Sequence, residues 1–303
     1  METRQIGSLG VSVVGLGCNN FGRRIDAADT ERVVHAALAA GVTFFDTADM
    51  YAAGRSEEFL GRALGSRRSE AVIGSKFGKP VGGTPAKATP AYIRASIQGT
   101  LTRLGTDYLD LYQLHEPHPE TPIEETLGEL AALVRAGQVR EIGCSNFDAA
   151  QLEAAERAAQ DGIRFVSVQN EYSLLVRDPE KGVLDACRRL GLAFIPFFPL
   201  ASGLLTGKYR KGRALPEGAR ITDGWGADRL NRENLDAVER LIGFVEARGH
   251  TLLELAFSWL LRRAEVASVI AGATTPEQVR ANATAASWTL SDADLAELDR
   301  LLA

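Results

Sequence analysis

The chain has few cysteines: Cys18, Cys144 and Cys187 are the only three among 303 residues, and they lie far apart. No CxxC motif or Cys/His cluster occurs, so we expect neither a metal site nor a disulfide framework. The sequence also lacks an apolar run of about 18 residues, which a transmembrane helix requires. Residues 1–10 lack the hydrophobic stretch of a signal peptide. These absences predict a cytoplasmic protein with reduced thiols.

An excess of positive charge is also missing. The chain has 34 Lys and Arg against 39 Asp and Glu, which gives a formal net charge of −5. Such a chain has no overall field that attracts nucleic acid or an anionic membrane. Hydrophobic residues make up 45% and charged residues 24%, which is typical of a globular protein. We therefore expect neither nucleic acid nor a membrane as partner, while the oligomeric state stays open.

Eight short apolar runs, each followed by a helical pattern, indicate the fold. Several are apolar on consecutive residues, as in parallel strands that are covered on both faces. The pattern predicts a (β/α)8 barrel in a single domain over residues 1–303, with an open doubly wound sheet as the alternative. The predicted strands span residues 13–16, 43–46, 71–75, 109–113, 139–144, 165–170, 193–198 and 268–270.

Several helix signals accompany these strands. Thr121-Pro-Ile-Glu124 has the pattern of a capping box with proline at the first helical position. Two helical patterns, 231–248 and 251–263, precede the last strand, and a further one at 291–302 predicts an extra C-terminal helix. Residues 201–231 contain six glycines and follow the seventh strand. A loop this long is usually functional, although a plain surface insertion is the alternative.

Gly15-Leu-Gly17 after the first strand is the start of a dinucleotide-binding motif, with Asp46 as its candidate ribose ligand. The third glycine is missing because Asn20 occupies its place. Asp46 also lies 29 residues beyond Gly17, further than the usual spacing of about 20. The pattern therefore gives little support to a Rossmann fold.

Polar residues at the ends of the predicted strands are a stronger signal. Asp46 closes the second strand and Tyr51 follows it, while Lys76 closes the third strand and His115 follows the fourth. Side chains at the carboxyl ends of barrel strands converge on one mouth, so we expect these four to form a catalytic group.

The chemistry of this group follows from its residue types. A lysine ammonium about 4 Å from a tyrosine contributes roughly 4 kcal/mol at an effective dielectric of 20, which lowers the phenol pKa by at most about three units. Tyr51 would then exchange a proton near neutrality, Asp46 would hold Lys76, and His115 would bind the reacting oxygen. A weaker alternative is a metal-dependent hydrolase that uses Asp46, Asp49 and His115.

The sequence resembles the aldo-keto reductase family, in particular the branch of the potassium-channel β-subunits and bacterial aldo/keto reductases. The resemblance spans nearly the whole chain. Segments 41–51, 74–76, 111–115, 121–127, 137–147, 168–170, 199–208 and 272–278 carry it. It implies reduction of aldehydes or ketones by NADPH, with Tyr51 as the proton donor. A nicotinamide-binding regulatory subunit with little turnover is the alternative.

The resemblance also implies a cofactor site. Ser145, Asn146 and Gln169 match residues that bind the carboxamide, and Phe197 takes the place of the usual stacking Tyr or Trp. Lys208 matches a position near the pyrophosphate. Thr274 and Thr275 lie where many relatives have a cation near the 2′-phosphate, but their hydroxyls and the helix start at Pro276 can still bind phosphate, and Arg280 is one helical turn away. On this basis we expect NADP(H) to be favoured over NAD(H). The full set of implied cofactor residues is Gly17, Cys18, Asp46, Ser145, Asn146, Gln169, Phe197, Phe198, Pro199, Leu200, Lys208, Gly272, Thr274, Gln278 and Asn282.

The substrate pocket is less well determined by the sequence. Loop positions near the predicted mouth make five residues candidates for its lining: Asn20, Phe21, Phe77, Glu116 and Trp225. Neither the natural substrate nor the physiological direction of the reaction follows from these residues.

Overall fold

The computed structural model describes residues 1–159, 161–216, 221 and 226–302. A short antiparallel hairpin, β1 (Thr3–Ile6) and β2 (Leu9–Ser12), precedes eight parallel strands. The parallel strands are β3 (Val14–Gly17), β4 (Phe44–Asp46), β5 (Val72–Phe77), β6 (Leu109–Leu114), β7 (Val139–Ser145), β8 (Phe165–Glu171), β9 (Ala193–Phe197) and β10 (Val269–Gly272).

The parallel strands pair in the order β10-β3-β4-β5-β6-β7-β8-β9 and form a nearly closed barrel. Beside the gap between β9 and β10, the Phe194 N–H donates to the carbonyl of Glu265 at 2.7 Å and the Ala267 N–H to that of Phe194 at 3.0 Å. The barrel prediction is therefore confirmed, and the alternative of an open sheet is wrong. Each predicted strand overlaps an observed one, with ends that differ by one or two residues.

Helices surround the barrel, and α7 and α8 both lie between the last two barrel strands in the chain. The helices are α1 (Ala27–Ala39), α2 (Arg55–Leu64), α3 (Pro90–Leu104), α4 (Ile123–Arg135), α5 (Ala149–Arg157), α6 (Val183–Leu190), α7 (Arg232–Glu246), α8 (Leu252–Leu261), α9 (Pro276–Thr284) and α10 (Asp292–Leu302). The last of these is the predicted extra C-terminal helix. Among the described residues, no helix is long and apolar enough to cross a membrane.

The predicted capping box at Thr121 is wrong. Helix α4 begins at Ile123, and Pro122 precedes it with an extended ψ of 135° and no side-chain cap. Because the proline stands before the first turn instead of within it, Thr121 lies too far from the helix to cap it. Capping boxes do occur at Asp148 of α5 and Thr251 of α8.

The N-terminal hairpin, which the strand pattern did not predict, closes the amino-terminal end of the barrel. Ile6, Leu9 and Val11 are buried in a cluster with barrel-interior residues such as Phe44, Leu111 and Ile195. The guanidinium of Arg4 donates to the carbonyls of Leu261, Arg263 and Val266 at 3.0, 3.2 and 2.7 Å. The hairpin is thereby tied to the end of α8 and to the segment that leads into β10.

The glycine-rich segment after β9 begins and ends with described 3₁₀ turns, Ala201–Thr206 and Ala227–Arg229. Gly203 and Gly226 adopt φ angles of 98° and 124°, which favour glycine. Gly218, Gly224 and Trp225 lie outside the described residues.

Candidate active site

The carboxyl ends of the barrel strands bring the four predicted catalytic side chains together. The ammonium of Lys76 donates to Asp46 Oδ2 at 2.5 Å and to the carbonyl of Thr47 at 2.9 Å. The same Nζ lies 5.4 Å from the centre of the Tyr51 ring. The rings of Tyr51 and His115 meet edge to face with their centres 6.1 Å apart.

Asp46 is fixed by donors on both of its oxygens. While Oδ2 accepts from Lys76, Oδ1 accepts from Gln169 Nε2 at 2.9 Å and from Gln113 Nε2 at 3.3 Å. Asp46 is 2% exposed, so its charge depends on these donors. The role of Gln113 was missed from the sequence, although an amide inside the apolar run of β6 is a recognisable signal.

Lys76 keeps its charge although it is fully buried. Burial opposes the ammonium, but Asp46 and then Tyr51 outweigh that effect and raise the pKa of Lys76 above its usual value. The site therefore contains a permanent cation beneath Tyr51.

The expected lowering of the Tyr51 pKa is wrong for the chain by itself. Burial raises the pKa of this phenol above its usual value, and the opposing effect of Lys76 does not reverse the shift. The expected shift considered only the attraction of the Lys76 ammonium, whereas burial also removes water from the phenolate and disfavours it. Tyr51 accordingly holds its proton at neutral pH.

His115 is neutral in the same pocket. Burial lowers its pKa to about 2, and the cations Lys76 and Lys79 add to this. Its Nδ1 is buried and has no hydrogen-bond partner among the described residues. A neutral imidazole offers one N–H donor without competing for the proton of a phenol.

The alternative metal set does not come together. Asp46 faces Lys76, whereas Asp49 accepts from Ser96 Oγ at 3.1 Å on the outer side of the barrel. Across the described ranges, His, Cys, Asp and Glu residues form no group of three suited to a metal ion. The hydrolase alternative therefore has no ligand set in this part of the chain.

A cavity of about 1020 Å³ opens above the four residues, at the carboxyl ends of the strands. Every residue that the resemblance assigns to the cofactor lines it, from Gly17 and Cys18 on one side to Gln278 and Asn282 on the other. The sequence analysis missed further lining residues, which include Met50, Ala52, Lys79, Ser202, Thr206 and Leu253. Ser202 and Thr206 lie within residues 199–208, one of the segments that carry the family resemblance, so their place in the cavity could have been predicted from it.

The side chains expected to hold a carboxamide are ordered by the protein itself. The Ser145 hydroxyl donates to the carbonyl of Gln169 at 2.7 Å, and Asn146 Nδ2 donates to the carbonyl of His115 at 2.9 Å. Asn146 adopts a φ of 61°, which is uncommon for a non-glycine residue.

Phe198, just after β9 and before the glycine-rich segment, has a constrained conformation. Its φ is 50°, and its ring lies between Phe197, at 5.4 Å, and the guanidinium of Arg229, at 5.1 Å. Arg229 also pairs with Glu171 at 2.5 Å. Left-handed conformations of bulky residues persist where the surroundings impose them, and they cluster at functional sites.

Two of the five substrate candidates are wrong as lining residues. Phe21 and Phe77 are fully buried, and the ring of Phe77 packs on Tyr112 with centres 4.7 Å apart. Phe77 follows Lys76 directly in β5, and successive side chains of a strand point to opposite faces. Because Lys76 faces the barrel interior, Phe77 points to the helices.

The other three candidates have different outcomes. Asn20 lines the cavity, and its Nδ2 donates to the carbonyl of Ala273 at 3.3 Å. Glu116 does not line the cavity but pairs at 3.3 Å with Lys79, which does. Trp225 lies outside the described residues.

Comparison with known proteins gives a consistent result. A sequence model of the Aldo/keto reductase family matches residues 13–303. The aldo-keto reductase yakc [NADP(+)] of Schizosaccharomyces pombe is 33% identical over an alignment of 313 positions, gaps included, that covers 98% of this chain and 90% of that protein. Glycerol dehydrogenase AKR11B4 from Gluconobacter oxydans has a TM-score of 0.86 at 28% identity, with 99% of this chain and 94% of that chain covered. An aldo-keto reductase from Klebsiella pneumoniae, solved in complex with NADPH, has a TM-score of 0.79 at 32% identity, with 97% and 92% covered. With this match, the chain belongs to the aldo/keto reductase family of oxidoreductases.

Proposed function

We propose that this protein interconverts aldehydes or ketones and their alcohols with NADP(H), and that Tyr51 exchanges the proton with the carbonyl oxygen. One observation carries the proposal: the Lys76 ammonium, held by Asp46 at 2.5 Å, lies beneath Tyr51 and beside His115 at the base of a large cavity. A protonated phenol next to a fixed cation and a neutral imidazole suits the donation of a proton to a developing alkoxide.

The cavity has the chemistry that a dinucleotide cofactor requires. Ser145, Asn146 and Gln169 offer polar groups for a carboxamide, and Phe197 offers an aromatic face. Lys208 lines the cavity, and the start of α9 at Pro276 adjoins it through Thr274, so that a cation and a helix N-terminus are both available to phosphates. When bound, the nicotinamide supplies the hydride that reduces the carbonyl carbon.

The choice of NADP(H) is supported by two relatives. The fission-yeast protein carries NADP(+) in its name, and the Klebsiella pneumoniae enzyme was solved with NADPH. In this chain the Thr274 N–H donates to Gln278 Oε1 at 2.8 Å, which orders the loop before α9. We assign the adenosine end of the cofactor to this loop.

The chain's own groups account for the proton. In the reducing direction, Tyr51 begins protonated because burial holds its pKa above the usual value, and Lys76 stabilises the phenolate that forms when the proton leaves. His115 donates its N–H to the same carbonyl oxygen and polarises the bond. In the oxidising direction, the phenolate of Tyr51 accepts the proton of the alcohol.

The test is a spectrophotometric assay of NADPH oxidation with aromatic aldehydes, short aliphatic aldehydes, sugars, dicarbonyls and ketosteroids. We expect Tyr51→Phe to lower kcat at least about 100-fold while the Kd for NADPH changes less than twofold, since general acid catalysis contributes about 10² to 10⁴. Tyr108→Phe removes a hydroxyl outside the cavity and is the matched control. Full turnover in Tyr51→Phe would refute the proton-donor role. Binding of NADPH without turnover of any substrate would favour the regulatory alternative.

A further inference from the structure

The turn that carries Tyr51 has an unusual backbone. Ala52 and Ala53 adopt φ angles of 51° and 55°, and Gly54 one of 92°. Two successive L-residues in the left-handed region are disfavoured, because Cβ approaches the backbone carbonyl too closely. Such a turn keeps its shape only where its surroundings hold it.

Residues outside the cavity contact both ends of this turn. On the side before Tyr51, the Asp49 N–H donates to the carbonyl of Lys76 at 3.1 Å. On the far side, a Cβ placed on Gly54 would lie 2.7 Å from Cδ of Arg103, so the arginine stem packs directly against the turn. Asp49 and Arg103 therefore support the strained segment from its two ends.

Asp49 and Arg103 belong to a group of buried and half-buried polar side chains, which we name the carboxyl cluster: Asp49, Glu57, Ser75, Ser96 and Arg103. Glu57 is fully buried, and its two oxygens accept from Ser75 Oγ at 2.5 Å and from Arg103 Nε at 2.6 Å. Asp49 is 3% exposed; its Oδ2 accepts from Ser96 Oγ at 3.1 Å, and its Oδ1 has no partner among the described residues.

The carboxyl cluster thus has two buried acids and one cation, and the cation is paired with Glu57. The groups that face Asp49 are Glu57 from α2, Ser96 and Arg103 from α3, and the phenols Tyr92 of α3 and Tyr112 of β6. A carboxylate at Asp49 would have the Ser96 hydroxyl and the Met50 backbone N–H as donors, but it would lie near the negative charge of Glu57, whereas a carboxylic acid there is neutral.

We propose that Asp49 is a positioning residue for carbonyl reduction, whose carboxyl must carry its proton for the Tyr51 turn to keep its active shape. The inference rests on the proposed reductase function. Loss of the proton puts a second negative charge near Glu57, three residues before the strained Ala52, and favours rearrangement of the segment that holds Tyr51 over Lys76.

The pKa of Asp49 lies far from those of Tyr51, Lys76 and His115. Burial, followed by the charge of Glu57, raises the pKa of Asp49 to about 7, although Ser96 and Arg103 oppose the shift. The pKa of Tyr51 is raised above its usual value, and that of His115 is about 2. A change in rate centred near pH 7 is therefore assignable to Asp49.

The experiment measures kcat and KM for NADPH-dependent reduction from pH 6 to 9 in the wild type and in Asp49→Asn. The wild-type kcat should fall at least fivefold with a midpoint near pH 7, while KM for NADPH stays within twofold, since Asp49 does not line the cavity. Asp49→Asn is neutral at every pH, so its kcat should vary less than twofold up to pH 8.5. Asp49→Ala, which loses the contact with Ser96, should have a lower kcat at every pH.

A thermal measurement gives a readout that does not need turnover. Because the pKa of Asp49 is raised by folding, its neutral form favours the fold at low pH, and that stabilisation is lost as the pH rises to about 7. The Tm of Asp49→Asn minus the Tm of the wild type should therefore become about 5 °C larger between pH 5 and pH 8. Asp178→Asn, an exposed aspartate paired with Lys181, is the matched control and should have no such trend.

Each outcome bears on one proposal or on both. A wild type that turns over carbonyls with the same pH profile as Asp49→Asn overturns the role of Asp49 and leaves the reductase function standing. The same holds if Asp49→Ala is as active as the wild type at pH 6. A wild type with no turnover of any carbonyl overturns both proposals.

Discussion

The buried pair of Lys76 and Asp46 gives the sharpest test of how this site is held together. At a separation of 2.5 Å, their gross attraction is about 7 kcal/mol at an effective dielectric of 20. Removal of one partner leaves the other charge buried, which costs about 3–5 kcal/mol. We therefore expect Lys76→Met and Asp46→Asn each to lower the free energy of unfolding by this amount.

The double variant measures the coupling free energy between Lys76 and Asp46. With both changes neither charge of the pair remains, and the amide that replaces the Asp46 carboxylate still accepts from Gln169 and Gln113 through its remaining oxygen. We expect the double variant to be more stable than either single variant, with a coupling free energy of about 3 kcal/mol or more. None of the three should turn over substrate, because each lacks the cation or the group that orients it.

The assay is urea unfolding followed by far-ultraviolet circular dichroism at pH 7.5. Lys181 and Asp178 are a matched control, since they form an exposed Lys–Asp pair at 2.7 Å with side chains 79% and 76% exposed. Lys181→Met and Asp178→Asn should be additive to within about 0.5 kcal/mol. If the effects of Lys76→Met and Asp46→Asn on the free energy of unfolding also added to within about 0.5 kcal/mol, the two residues would not stabilise the site as a pair.

Two further predictions follow from the pKa of Tyr51 and from the N-terminal hairpin. Because the pKa of Tyr51 is raised, the phenolate that accepts a proton in alcohol oxidation becomes populated only at alkaline pH. The value of kcat/KM for alcohol oxidation with NADP+ should therefore rise from pH 7 to 10. A plateau below pH 8 would contradict this. Arg4→Ala removes three hydrogen bonds to the carbonyls near the end of α8, so it should lower the free energy of unfolding by about 1–3 kcal/mol. Calorimetry would measure the fall in Tm, with the exposed Arg135→Ala as control.

The barrel is readable from the sequence because its strands are buried on both faces. Residues of β4, for example, are buried along its whole length, so the strand is apolar up to Asp46, the polar residue at its end. The hairpin is not readable in this way, because β1 has only one apolar residue, Ile6, and β2 contains a glycine and a serine. Its role becomes visible only when Ile6 and Leu9 meet Phe44 inside the barrel.

Which face a side chain takes is harder to predict than which strand it belongs to. Lys76 and Phe77 are adjacent, and both lie at the end of β5 near the mouth of the barrel. A shift of one residue along the strand moves a side chain from the interior of the barrel to the layer between the strands and the helices. Phe77 is therefore a core residue, although its position along the strand suggests a pocket residue.

The sequence also does not distinguish the two acids of the Tyr51 segment. Asp46 and Asp49 are three residues apart, and both are almost completely buried. Asp46 has the ammonium of Lys76 and two amide donors, so it serves as the anion of the site. Asp49 has a hydroxyl and a backbone N–H as donors but no ammonium, and the nearby guanidinium is paired with Glu57. The residue type is the same in both places, so the protonation state depends on which acid receives a cation from another strand or helix, and this is decided by the fold.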